Sequence, residues 1–143
     1  MKVKQISVFL ENKSGRLAKV TQTLGENRIN IRALSIADTT DFGILRLIVS
    51  DPAKACQILK NEDFTVSETD IIAVQVPDNP GGLAGILETF ENAKINIEYM
   101  YAFVGKASGN AVVVFRVEAI DRAIELMQKS GIKLLTDNEV YAF

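Results

Sequence analysis

No histidine occurs among the 143 residues, which removes the commonest general base and metal ligand. The single cysteine, Cys56, can form neither an internal disulfide nor a thiolate zinc site. It stands among Ala55, Ile58 and Leu59 and reads as a small buried apolar residue. One unpaired cysteine fits a reducing compartment, so a cytoplasmic setting is expected. There is no G-x-G-x-x-G or Walker-type loop, and no serine beside a recognisable base. The charge balance is 16 basic to 18 acidic side chains, net −2, spread along the chain. It offers no electrostatic reason to expect nucleic acid or an anionic membrane as a partner. An apolar run of about 20 residues is also missing. Met1 leads directly into a charged, strand-like stretch, so no signal peptide is expected. These absences predict no catalytic residue, no metal, no cofactor, and neither a membrane nor a nucleic-acid partner.

What the chain does contain, it contains twice. Ser14-Gly15-Arg16-Leu17-Ala18 returns as Pro80-Gly81-Gly82-Leu83-Ala84, and Ile29-Asn30-Ile31 as Ile95-Asn96-Ile97, both 66 residues later. Asp51-Pro52-Ala53-Lys54-Ala55 matches Ala119-Ile120-Asp121-Arg122-Ala123 at an offset of 68. A repeat this long is a duplicated domain, not a solenoid unit of about 20–50 residues. Two domains are expected, 1–69 and 70–143. Each is small, and a domain of that size buries only about 60% of its chain surface, so the halves are expected to share an interface.

Each copy reads β-α-β-β-α-β. Val3–Leu10 is strand-like. Leu17, Val20 and Leu24 fall on one helix face, with Ser14 as its expected N-cap. Asn30–Ala37 and Ile44–Val49 are strands joined by a hairpin at Asp38–Asp41. Asp51-Pro52 opens a second helix, and Phe64–Ser67 is a short fourth strand. In the second copy, Ile71–Val76 precedes a helix with Leu83, Ile86, Leu87 and Phe90 on one face. Asn96–Val104 and Ala111–Val117 follow, joined by a hairpin at Gly105–Gly109. A helix over Ile120–Gln128 and a strand over Ile132–Leu135 close the unit. This order predicts an α+β fold of two ferredoxin-like βαββαβ domains, each an antiparallel sheet with helices on one face. Val140-Tyr141-Ala142-Phe143 reads as the start of a further strand, an edge or subunit contact, or a frayed tail.

Two turns concentrate the functional signal. Glu11-Asn12-Lys13-Ser14-Gly15 and Asp78-Asn79-Pro80-Gly81-Gly82 each follow a strand and open a helix. Backbone N–H groups at such a helix start suit a carboxylate. Asn12 offers both an amide donor and a carbonyl acceptor, and Asp78 could hold an ammonium group. Asn30 and Asn96 open the second strand of each copy. As single features these are ordinary turn and strand-start residues; their recurrence at matched spacing points to a shared role. Tyr99, Tyr101 and Phe103 share a strand face with Ile97 and could form a base-stacking platform. The third strands lack the basic and aromatic pattern of an RNA-recognition domain, and packing against a sheet is the better reading.

At these residues the chain resembles the ACT domain family, the amino-acid-sensing modules attached to many biosynthetic enzymes. The family pattern is a turn like Asn-x-Pro-Gly-x-Leu after the first strand, then Gly-x-Asn-Ile at the second. Asn12-Lys13-Ser14-Gly15-Arg16-Leu17 with Asn30-Ile31 matches it, as does Asp78-Asn79-Pro80-Gly81-Gly82-Leu83 with Asn96-Ile97. Ser14 replaces the common Pro, and Asp78 the common Asn, so the two sites should not be equivalent. Where some serine-binding relatives carry a polar side chain, Leu10 and Val76 stand here. The resemblance implies a free-standing regulatory pair, without catalytic activity, that binds an L-amino acid at the interface between ACT units, at these residues. It also implies a homodimer, and an enzyme of amino-acid metabolism as a partner. A structural or scaffolding subunit without a small ligand remains the alternative, with an RNA-binding module behind it.

Overall fold

The computed structural model describes residues 1–38, 41–107 and 109–143. Its elements are β1 (Val3–Glu11), α1 (Arg16–Glu26), β2 (Ile31–Asp38), β3 (Phe42–Val49), α2 (Pro52–Asn61), β4 (Thr65–Val76), α3 (Gly82–Asn92), β5 (Ile97–Ala107), β6 (Asn110–Val117), α4 (Ile120–Lys129) and α5 (Asp137–Tyr141). The chain divides into two compact units. Lys4–Thr69 with Tyr141–Phe143 forms the N-terminal unit, and Asp70–Val140 with Met1–Val3 the C-terminal unit.

In the N-terminal unit β3 lies between β1 and β2, antiparallel to both. Thr65 and Ser67, at the start of β4, share a depression with Ser7, Phe9 and Ile44, which places this stretch beside β1. Ile6, Val8 and Leu10 of β1 and Leu45, Leu47 and Val49 of β3 point to one face. There they meet Val20 and Leu24 of α1 and Ala55, Cys56 and Leu59 of α2 in one buried cluster. Each fully buried Leu, Ile or Val contributes about 1.5–3 kcal/mol, so this face holds the unit together. Asp51 caps α2, its carboxylate accepting from Lys54 N at 3.2 Å.

The C-terminal unit repeats the order. β6 lies between β4 and β5. Its core gathers Ile72, Val74, Val76, Ile86, Phe90, Val113, Phe115, Val117, Ala123 and Met127. The expected closing strand over 132–135 is reduced to one bridge, Val74 to Leu134, with Gln75 N donating to Lys133 O and Leu135 N to Ala73 O. Both units are thus α+β, the N-terminal one in βαββαβ order and the C-terminal one with its last strand reduced to that bridge.

Four expectations need correction. Phe64–Ser67 and Ile71–Val76 are not two strands but parts of β4, because the join carries β-branched Thr65, Val66, Thr69, Ile71 and Ile72 and no Gly or Pro to interrupt it. The hairpin expected at Gly105–Gly109 is tighter, since β5 runs to Ala107, which pairs with Asn110; Ser108 lies outside the described residues. The tip of the other hairpin, Thr39-Thr40, lies outside them too. The third correction concerns Val140–Phe143, which does not begin a strand; Val140 and Tyr141 end helix α5. A capping box explains this. Glu139 N donates to Thr136 Oγ1 while Thr136 N donates to Glu139 Oε1, each at 3.2 Å. The Thr136 amide bond, ahead of its hydroxyl and Lys133, holds the Glu139 carboxyl below its usual range. A lowered carboxyl pKa stabilises above the unfolded value and is lost as pH falls through the folded one. Thr136→Ala is expected to cost about 1 kcal/mol at neutral pH, and less in acid once Glu139 is protonated. Chemical denaturation at both pH values checks this; an equal cost at each would break the link to Glu139.

The fourth correction is the helix cap. Ser14 does not cap α1; the N-cap is Gly15, with φ 89° and ψ −14° and no side-chain hydrogen bond. The reason lies in the turn. Arg16 N donates to Lys13 O, and Gly82 N donates to Asn79 O. Gly15 and Gly81 (φ 85°, ψ −5°) hold the third position of these turns. This is type II geometry, which needs a positive φ there and favours Pro just before it. Ser14 therefore occupies the slot that Pro80 fills in the second copy.

Among the described residues no helix is long and apolar enough to cross a membrane. Nor do three or more His, Cys, Asp or Glu side chains gather there in a way that could hold a metal ion.

Candidate functional site at the first helix turn

The first turn is pinned on both sides. Asn12 N donates to Asp41 O at 2.8 Å, tying it to the β2–β3 hairpin, and Lys13 N donates to Glu11 O at 2.8 Å. A cleft of about 180 Å³ opens beside it, lined by Leu10, Glu11, Asn12, Lys13, Arg16, Leu17, Ile36, Phe42 and Gly43. That lies below the about 300 Å³ at which pockets for drug-sized ligands begin, and suits a molecule as small as an amino acid. Leu17, Ile36 and Phe42 are 40–46% exposed, so the cleft has an apolar wall open to solvent.

Its polar end is the start of α1. The first-turn N–H groups of a helix have no partner within the helix. Here the cap is a glycine without a side-chain acceptor, and the first turn carries no acidic residue. The helix dipole adds positive potential at that end. Lys13 Nζ lies 2.8 Å from Glu11 Oε2. That hydrogen bond and the charge of Lys13, with a smaller contribution from Arg16, lower the Glu11 carboxyl pKa. Arg16 lays its guanidinium over the Phe64 ring, 4.7 Å from the centroid, and its buried Nε has no hydrogen-bond partner.

The expected site residues are not all brought together. Asn12, Arg16 and Leu17 line the cleft, and Ser14 and Gly15 form the turn beside it. Asn30 and Ile31 sit at the far end of the sheet. Asn30 N donates to Ser50 Oγ, Ser50 N returns to Asn30 O, and the Asn30 side chain accepts from Ile31 N. The length of β3, about 25 Å, separates Ser50 from Asp41. Asn30 is a clasp between strand ends, and Ile31 packs against the core.

Asn96 repeats the clasp. Its O accepts from Glu118 N, its Nδ2 donates to Glu118 Oε1, and Ile97 packs on the second core. In the second turn Asn79 N donates to Pro77 O, and Gly81 and Gly82 start α3, with Leu83 on the core side. Asp78 is exposed. Beside this turn lies a separate cleft of about 240 Å³ that Gln75, Pro77, Ile86, Asn110 and Lys133 help to line. Glu11, Lys13, Ile36, Phe42 and Gly43 were not among the expected ligand residues; the last three reach the cleft through strand pairing, Glu11 opposite Phe42, Leu10 opposite Gly43, and Ile36 of β2 opposite Leu45 of β3.

The aromatic trio on β5 is a poor stacking platform. Phe103 is 8% exposed, and the Tyr99 and Tyr101 rings stack on each other at 6.5 Å.

With this geometry in view, comparison with known proteins is direct. The family model for an ACT domain pair matches residues 1–143. The chain is similar to the protein BT0572 from Bacteroides thetaiotaomicron, at 45% identity and a TM-score of 0.93, covering 100% of this chain and 98% of that one. It shares its fold with the ligand-free regulatory subunit of aspartate kinase from Thermus thermophilus, at 16% identity and a TM-score of 0.64, covering 89% and 91%. The fold also recurs in E. coli aspartokinase III, solved with lysine and aspartate, at 16% identity and a TM-score of 0.53, covering 90% of this chain and 31% of that one. No curated protein matches the chain.

Proposed function

We propose, on the premise that this chain belongs to the ACT domain pair family, that it is a regulatory protein binding a free L-amino acid. Residues 1–69 and 70–143 are its two ACT domains, and it has no catalytic activity of its own. One observation carries the reading: an amino-acid-sized cleft meets an uncapped helix start at the type II turn of the N-terminal unit. The ligand carboxylate would accept from the first-turn N–H groups, and the carbonyl oxygen of the Asn12 side chain would take the ammonium group. Leu17 and Ile36 would cover the aliphatic part. The aspartate kinase regulatory subunits that share the fold lend support, as does the lysine and aspartate complex of aspartokinase III.

A ligand that binds the folded state adds about 2.7 kcal/mol of stability at 100 times its dissociation constant. At least one common amino acid at millimolar concentration is therefore expected to raise the melting midpoint. If none does, the reading fails. We place the output in a homodimer acting on an enzyme of amino-acid metabolism, because the half-exposed apolar side chains on the cleft wall suit a covering partner. Light scattering on the same samples checks the assembly; a mass of 15.7 kDa with and without ligand excludes it.

A further inference from the structure

We infer that the cleft of the N-terminal unit selects an amino acid with a second, side-chain carboxylate. This rests on the amino-acid reading above and adds the ligand class. The charge of the cleft lining sets this preference. Among the described residues lining the cleft Glu11 is the one carboxylate, and it is already paired with Lys13 at 2.8 Å. Arg16 is left as a positive charge in excess. Arg16 lines the cleft, and its buried Nε has no hydrogen-bond partner. Arg is suited to this role because it is always charged and its planar fork matches a carboxylate. The stack on Phe64 further orients the guanidinium.

Moving 66 residues along the chain replaces Glu11, Asn12, Lys13 and Arg16 by Pro77, Asp78, Asn79 and Gly82. The first set sums to one positive charge, the second to one negative charge. The contrast is one between the turns; among the described residues the cleft beside the second turn is lined by Lys133 and by no carboxylate. A unit charge several ångströms away in a half-exposed cleft is worth about tenfold in affinity at low salt, and less as salt screens it.

The test is calorimetric titration of the full-length protein at low salt with L-aspartate, L-glutamate, L-asparagine and L-glutamine. Each acid is expected to bind about tenfold more tightly than its amide. Arg16→Gln should bring that ratio to about one, and Arg16→Lys should keep most of it. In the unaltered protein the ratio should also fall as salt rises, a readout that needs no variant. Acids and amides binding equally well, or a preference that survives Arg16→Gln, would overturn the inference and leave the amino-acid reading standing. Titrations in which no amino acid binds would overturn both.

Discussion

Replacing Phe115 by alanine is expected to lower the thermal midpoint by about 10–20 °C. Phe115 is fully buried at the centre of β6, opposite Ile72 on β4 and Met100 on β5. Its ring packs on that of Phe90 of α3 at 5.3 Å and 46°, so one side chain joins the sheet to the helix layer. Removing it loses the transfer energy of the ring, the tilted aromatic contact, and whatever the resulting cavity cannot recover, together about 3–5 kcal/mol. A chain of this size loses several degrees per kcal/mol, which gives the stated fall. Phe9→Ala is the control. Phe9, in the N-terminal unit, is 42% exposed, stands outside that unit's core cluster and shares a ring contact with Phe42, so its loss should be much smaller. Circular dichroism melts of both variants decide the matter. A fall for Phe115→Ala no larger than for Phe9→Ala would show that the C-terminal unit does not depend on this packing.

Periodicity made the two-copy βαββαβ order legible, because the alternating strands and the three-and-four-spaced helix faces each point to one buried side. The strand pairing and burial of β1, β3 and α1 follow that pattern. Errors gathered where two local signals competed. Val140–Phe143 looks strand-like by composition, yet Thr136-x-x-Glu139 just before it is a helix-start signature, and the cap prevails. Ser14 is a good N-cap by residue type, but it precedes a glycine at positive φ that is itself the cap. The turn glycine was legible as a recurring residue, and its cause, type II geometry, emerges from the dihedral angles.

The candidate site was half legible. Asn12, Arg16 and Leu17 come from one continuous motif, whereas Ile36, Phe42 and Gly43 arrive by strand pairing some thirty residues away, which no local pattern encodes. Asn30 and Asn96 show the opposite hazard. They recur because each unit needs the same clasp at the same strand end, to Ser50 in one and Glu118 in the other. Recurrence marks a shared physical demand, and that demand can be structural.

Two glycines of α3, three residues apart, should respond to alanine in opposite directions. Gly85 is exposed in the helix interior, and a Cβ there would meet nothing within 4 Å. Alanine restricts the unfolded chain and favours the helix, so Gly85→Ala should stabilise by about 0.5–1 kcal/mol. Gly82 begins the same helix, and a Cβ there would fall 2.0 Å from Pro77 O and 3.0 Å from Pro77 C. Those are backbone atoms, which cannot swing aside as a side-chain tip would. The chain must shift at the turn, at a cost of about 1–3 kcal/mol that exceeds the gain in helix propensity. Urea denaturation of both variants tests the pair of signs. Gly82→Ala matching Gly85→Ala would mean that the close approach to Pro77 relaxes freely. If the signs differ as expected, position 82 cannot carry a side chain without rebuilding the turn, so the second copy cannot acquire the cation that Arg16 supplies to the first. The lack of a cation at position 82 would then follow from backbone packing.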